Sequence, residues 1–116
     1  MKTIIALGSN SNQEENISKA QILLKQRFEG IRFSDPQWTE PIGIESDKFL
    51  NCIGYFETEW SLNQVRECLK AVEQIMGDTH ENHQQGKVLI DIDLAQYGDK
   101  IVKEIIWLLK RLEKSS

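Results

Sequence analysis

Along this chain the spacing of apolar residues switches from strand-like to helical and back, twice. That alternation constrains the fold more than any other feature. Thr3-Ile4-Ile5-Ala6-Leu7 is a short β-branched run halted by Gly8-Ser9-Asn10, which reads as a buried strand. Ile17, Ala20, Leu24 and Phe28 then recur at helical spacing. Ser11 with Glu14, or Asn12 with Glu15, offers a capping box, so a helix is expected over about 13–28. Ile31 to Trp38 is extended but interrupted by Asp35-Pro36. Proline has no N–H for a central ladder, so this is an edge or bulged strand.

After a loop over 39–48, Phe49 to Trp60 is the longest strand candidate. Phe49, Asn51, Ile53 and Tyr55 share one face, and Leu50, Cys52, Gly54 and Phe56 the other. Ser61 with Gln64 forms a second capping box, and Leu62, Val65, Leu69, Val72 and Met76 a helical stripe that ends at Gly77. Beyond a polar loop, Lys87 to Ala95 alternates as a strand. From about Val102 the chain reads as helical, with Ile101, Ile105, Leu108, Leu109 and Leu112 as its apolar stripe. The order β-α-β-β-α-β with a final helix predicts an α+β, ferredoxin-like antiparallel sheet with both core helices on one face.

With 116 residues, 1–116 is read as a single domain. Eighteen acids against fourteen bases leave a net charge of −4, which argues against nucleic-acid and anionic-membrane partners, because both need a concentrated basic face. No apolar run approaches the ~18–20 residues of a bilayer span. Met1-Lys2-Thr3 leads into too short an apolar run for a signal peptide. Cys52 and Cys68 have no metal or redox spacing, so reduced thiols and a cytoplasmic location are expected. Trp38, Trp60 and Trp107 are read as core or interface residues.

The sharpest chemical feature is Asp91-Ile92-Asp93. On a strand these acids point the same way, about 6.5–7 Å apart along the chain, and a hard divalent cation such as magnesium would remove their repulsion. A solvated acidic face is the plainer alternative. Gly8-Ser9-Asn10, between strand and helix, offers free N–H groups to an anion, although a simple turn explains it as well. Thr39-Glu40-Pro41-Ile42-Gly43 with Phe49 and Asn51 suits a planar heterocycle: a flat face plus a donor–acceptor edge. His80 and His83 are read as solvated loop residues, with a part in a transition-metal site as the alternative.

Taken in order, Ile5-Ala6-Leu7-Gly8-Ser9-Asn10, Thr39-Glu40-Pro41-Ile42-Gly43, Phe49-Leu50-Asn51-Cys52, Glu57-Thr58, Glu73, Gly77, Asp91-Ile92-Asp93-Leu94 and Tyr97-Gly98-Asp99 resemble 6-hydroxymethyl-7,8-dihydropterin pyrophosphokinase (HPPK), a folate-pathway family. The resemblance implies a ferredoxin-like core and pyrophosphoryl transfer from ATP to the pterin's hydroxymethyl oxygen. It makes Asp91 and Asp93 the metal-holding, catalytic acids, with Mg2+ as cofactor and ATP as co-substrate. Pterin contacts would carry over to Thr39, Pro41, Ile42, Phe49 and Asn51, with Glu73 and Lys87 as further candidates near the active site.

The chain also departs from the family pattern. Counting back from Asp91 puts Asp78, His80 and Val88 where the family has arginines, and Gln85 where it has a tryptophan. Residues 101–116 lack the family's His-Pro segment and read as a substitute helix. Charge-assisted bonds to phosphate are among the stronger polar contacts, so weak or absent ATP turnover is expected. A non-catalytic pterin-like binding module, or a dimerisation module, is the alternative, and a homodimer is left open.

Overall fold

The computed structural model describes residues 1–39, 48–78 and 86–104. The elements are β1 (Lys2–Ser9), α1 (Gln13–Arg27), β2 (Arg32–Phe33), β3 (Gln37–Thr39), β4 (Phe49–Glu57), α2 (Leu62–Ile75), β5 (Asp91–Tyr97) and β6 (Lys100–Ile101). They build one mixed antiparallel-sheet-and-helix structure, with strand order β2-β4-β1-β5-β6 and β3 beside β4. The expected α+β class holds. β1 is central and pairs along its whole length with β4, from Lys2 opposite Glu57 to Ser9 opposite Leu50. On its other edge it pairs with β5, from Thr3 opposite Tyr97 to Gly8 opposite Asp91.

Alternation along the strands separates two faces. Ile5 and Leu7 of β1, Leu50, Cys52 and Phe56 of β4, and Ile92 and Leu94 of β5 meet the helices. There they pack against Ile17, Ala20 and Leu24 of α1 and Val65, Leu69 and Val72 of α2. Each helix thus buries the stripe that its sequence spacing defines. The opposite face carries a smaller cluster of Ala6, Ile53 and Ala95 with Ile4 beside it. Gly54 belongs to the helix face. A methyl group there would lie 2.8 Å from Ile5 Cγ1 and 3.2 Å from Phe33 Cε1, so those two side chains fill the space that glycine leaves.

Asp35-Pro36 divides the outer strand as expected: β2 and β3 pair with different parts of β4. The capping box of α2 is present, with Gln64 N–H donating to Ser61 Oγ at 3.2 Å and Ser61 N–H to Gln64 Oε1 at 2.8 Å.

Four expectations are corrected. α1 has no capping box: its N-cap, Asn12, sits in the left-handed region at φ 44° without a side-chain cap bond, a conformation that asparagine tolerates better than most residues. Strand β5 starts at Asp91 rather than Lys87, because side chains take the place of strand partners over 88–90. Val88 N–H donates to Asn10 Oδ1, and the amides of Leu89 and Ile90 both reach Asp78 Oδ1. Ile101 belongs to β6, not to a helical stripe, and residues 102–104 are not helical. The turn at Gly98, φ 59°, folds Lys100–Ile101 back onto Gln96–Tyr97. The remainder of the expected terminal helix, with Trp107, lies outside the described residues. Finally, Trp38 and Trp60 are exposed and so are not core residues, the first half of the core-or-interface expectation; Trp60 stands edge-on to Phe28 at 5.2 Å, and Phe28 stacks on Phe56 at 4.2 Å. No helix among the described residues is long and apolar enough to cross a membrane.

Candidate functional site

The register across the centre of the sheet assembles the site. Residues directly opposite one another on antiparallel strands share a face. Asn51, Gly8 and Asp91 therefore form one row across β4, β1 and β5, and Ile53, Ala6 and Asp93 the next. Asn51 and Asp91 stand two strand spacings apart, roughly 10 Å, with a glycine between them. Gly8 is small for a reason: a Cβ there would lie 2.8 Å from Asn51 Oδ1 and 3.6 Å from Phe49 Cδ1. The Phe49 ring and the Asn51 amide lie over the bare backbone of Gly8. Asn51 is buried, and its Nδ2 donates to Thr39 Oγ1 at 2.6 Å.

Three of the five residues expected to hold a heterocycle, Thr39, Phe49 and Asn51, are thus brought together on the sheet face that carries the acids. Pro41 and Ile42, like Glu40, Gly43, His80, His83 and Gln85, lie outside the described residues.

Asp91 and Asp93 open into a cleft of about 470 Å³ between α2 and β5. Glu73, Arg66, Lys70 and Lys103 also line it. Glu73 Oε2 accepts the Ile92 N–H at 3.0 Å, where β5 has no strand partner on that edge among the described residues. Glu73 therefore satisfies a ladder amide as well as contributing charge. The negative charges of Asp93 and Glu73 both bear on Asp91, and the ammonium of Lys103 opposes them. Burial, followed by the charge of Asp93, raises the Asp91 pKa to about 7. Burial also raises that of Glu73, with Asp78 and Asp93 adding to the effect against the Ile92 hydrogen bond.

The cation in this field is one that the sequence reading missed. Lys103 Nζ lies 3.1 Å from Asp93 Oδ1. Burial works against its charge, but the hydrogen bond to Asp93 and the fields of Asp91 and Glu73 outweigh it and hold its pKa above the ordinary lysine value. The signal was available: reading Tyr97-Gly98-Asp99-Lys100 as a hairpin turn would have brought residue 103 back along β5. Lys87, the expected nearby cation, is exposed; among the described residues it is Lys103 that lowers the proton affinity of Asp91.

Strand β1 does not halt at Gly8 but runs on through Ser9, and the bend after it falls at Asn10, whose polar groups serve the fold. Asn10 N–H donates to Val88 O at 3.0 Å, Asn10 Oδ1 accepts Val88 N–H at 2.6 Å, and Asn10 Nδ2 donates to Gly86 O at 2.7 Å. Two positions where arginines were expected are likewise structural: Asp78 holds the amides of 89 and 90, and the Val88 side chain is buried. Cys52 and Cys68 are free thiols whose pKa values burial raises, against opposing effects of Gln21 on Cys52 and Arg27 on Cys68.

Two carboxyls on one strand, one with a raised proton affinity, are a suitable donor pair for a hard divalent cation. Among the described residues no group of three or more His, Cys, Asp or Glu side chains is arranged to hold a metal on its own. The family model described as 7,8-dihydro-6-hydroxymethylpterin-pyrophosphokinase (HPPK) matches residues 4–112.

Proposed function

Because the chain belongs to the HPPK family, whose members act in folate biosynthesis, we propose that it binds a hydroxymethylated dihydropterin against Phe49 and Asn51, with ATP and Mg2+ at Asp91 and Asp93. Thr39 orients the Asn51 amide through its 2.6 Å hydrogen bond, leaving Asn51 Oδ1 to accept from the heterocycle's edge. Pro41 and Ile42 complete the pterin wall in this reading. The observation that carries it is the Asn51–Gly8–Asp91 row, which sets a ring-binding edge and a cation-binding acid about 10 Å apart on one rigid sheet face.

In the transfer itself, the hydroxymethyl oxygen attacks the β-phosphorus of ATP and gives up its proton to solvent, while the bond from that phosphorus to the α,β-bridging oxygen breaks and AMP leaves with that oxygen. Bound Mg2+ supplies neutralisation of the phosphate oxygens. The chain's own residues hold the cation (Asp91, Asp93), keep β5 in register (Glu73 through Ile92 N–H) and fix the ring (Phe49, Asn51). Turnover is slow in this reading, because Asp78 and Val88 serve the fold where phosphate-gripping arginines are expected.

A second reading, a pterin-binding module without transfer chemistry, is favoured by one observation: Asp93 already has a cationic partner in Lys103. Calorimetric titration with 6-hydroxymethyl-7,8-dihydropterin and with MgATP, followed by an AMP-release assay, separates the two. Pterin binding with measurable AMP supports the enzyme. Pterin binding without AMP supports the module, and binding of neither ligand removes both.

A further inference from the structure

Lys103 reaches the acids by a route that owes nothing to α2 or to the loop before β5. The register of β1 against β5 shifts between Ile4 and Ile5, leaving Ala95 as an extra residue between Leu94 and Gln96. The carbonyl of that bulged residue accepts two amides from the returning chain, Val102 N–H at 2.9 Å and Lys103 N–H at 3.2 Å. These bonds fix the Lys103 backbone beside β5, and its side chain extends to Asp93 Oδ1 at 3.1 Å. The anchor is buried and the ammonium is not: Ala95 is 7% exposed, whereas the Lys103 side chain is 56% exposed. A lysine held this way is a point charge on a flexible stem, able to leave its partner without disturbing the backbone that carries it.

We propose that Lys103 is a tethered counter-ion for the acid pair, one that a divalent cation must displace to reach Asp93. The inference rests on the reading of Asp91 and Asp93 as cation-holding acids. An ammonium and a divalent cation on the same carboxylate repel each other, so loading the acids turns Lys103 out into the cleft that Arg66 and Lys70 also line. Removing the ammonium should tighten cation binding by about 1.5- to fivefold, the range expected of a solvent-exposed ion pair.

The test uses the full chain, its Lys103→Met variant, which keeps a flexible unbranched stem, and Lys103→Arg, which keeps the charge. Manganese affinity is measured by calorimetry, and acetylation of Lys103 relative to Lys100 by mass spectrometry with and without manganese. The expected result is tighter manganese binding by Lys103→Met, near-unchanged binding by Lys103→Arg, and faster acetylation of Lys103 when manganese is present. Equal or weaker binding by Lys103→Met at an unchanged melting temperature overturns the counter-ion role alone, as does acetylation that manganese does not alter. Absence of manganese binding in all three proteins overturns the acid-site reading with it.

Discussion

Asn10 and Val88 exchange two hydrogen bonds across 78 residues of chain, Asn10 N–H to Val88 O at 3.0 Å and Val88 N–H to Asn10 Oδ1 at 2.6 Å. The end of β1 thereby holds the segment that delivers Asp91 to its place opposite Gly8. Asn10→Ala keeps the backbone bond but strips the buried Val88 amide of its acceptor and Gly86 O of its donor. The expected cost is about 2–3 kcal/mol, read as a lower urea midpoint. Hydrogen exchange should show the amides of residues 88–92 losing protection before those of β4.

Gly8→Ala tests the floor of the site. The new methyl group meets Asn51 Oδ1 at 2.8 Å and must push that amide away from Thr39. Stability should fall by about 1–2 kcal/mol, in the range for overpacking. Pterin affinity should fall more than tenfold, because the edge-reading group is displaced. An affinity equal to that of the unaltered protein would show that Asn51 does not read the ring.

The proton affinity of Asp91 gives a signed pH dependence. Its pKa is raised to about 7 from the ordinary aspartate value of 3.8. The contribution is therefore full below about pH 4 and lost as pH rises towards and through 7. In metal-free buffer this group should make the protein less stable at pH 8 than at pH 5, by on the order of 2–4 kcal/mol. Asp91→Asn should flatten that part of the profile in chemical denaturation. An unchanged slope between pH 5 and 8 in the variant would rule out Asp91 as its source.

Glu73 separates two roles, acceptor and charge. Glu73→Gln keeps an oxygen for the Ile92 N–H and removes a negative charge from beside Asp91, so stability at pH 8 should be equal or higher. Glu73→Ala leaves that edge amide without its side-chain acceptor and should cost about 1–2 kcal/mol. If both variants lose the same stability, the hydrogen bond is not what Glu73 contributes.

Much of this architecture was legible because hydrophobic period and face are set locally. Ile17, Ala20 and Leu24, and Val65, Leu69 and Val72, are buried as their spacing required, and the two faces of β4 divide where alternation put them. The failures share a different cause. Nothing local in Lys87-Val88-Leu89-Ile90 reveals that Asn10 and Asp78, distant in sequence, supply its hydrogen-bond partners, so an alternating run was read as ladder. At the other end, apolar spacing drew Ile101 into a helical stripe, while the positive φ that Gly98 provides turned the chain into a hairpin. The acids, the aromatic and the amide were visible as types. Their shared row was not, since it depends on how β4 and β5 register against β1. Lys103 went unseen for the same reason: its meaning comes only from the bulge at Ala95.

That bulge has an evolutionary corollary. With two returning amides hung from a single carbonyl, the electrostatic balance of the acids is governed by the length of a two-residue turn, Gly98-Asp99, that touches none of them. Inserting or deleting one residue in that turn would break the alignment of Val102 and Lys103 on Ala95 while sparing every acid. Descendants of this sequence can thus gain or shed a built-in positive charge by a change in a surface turn, a far smaller step than rebuilding the sheet beneath it.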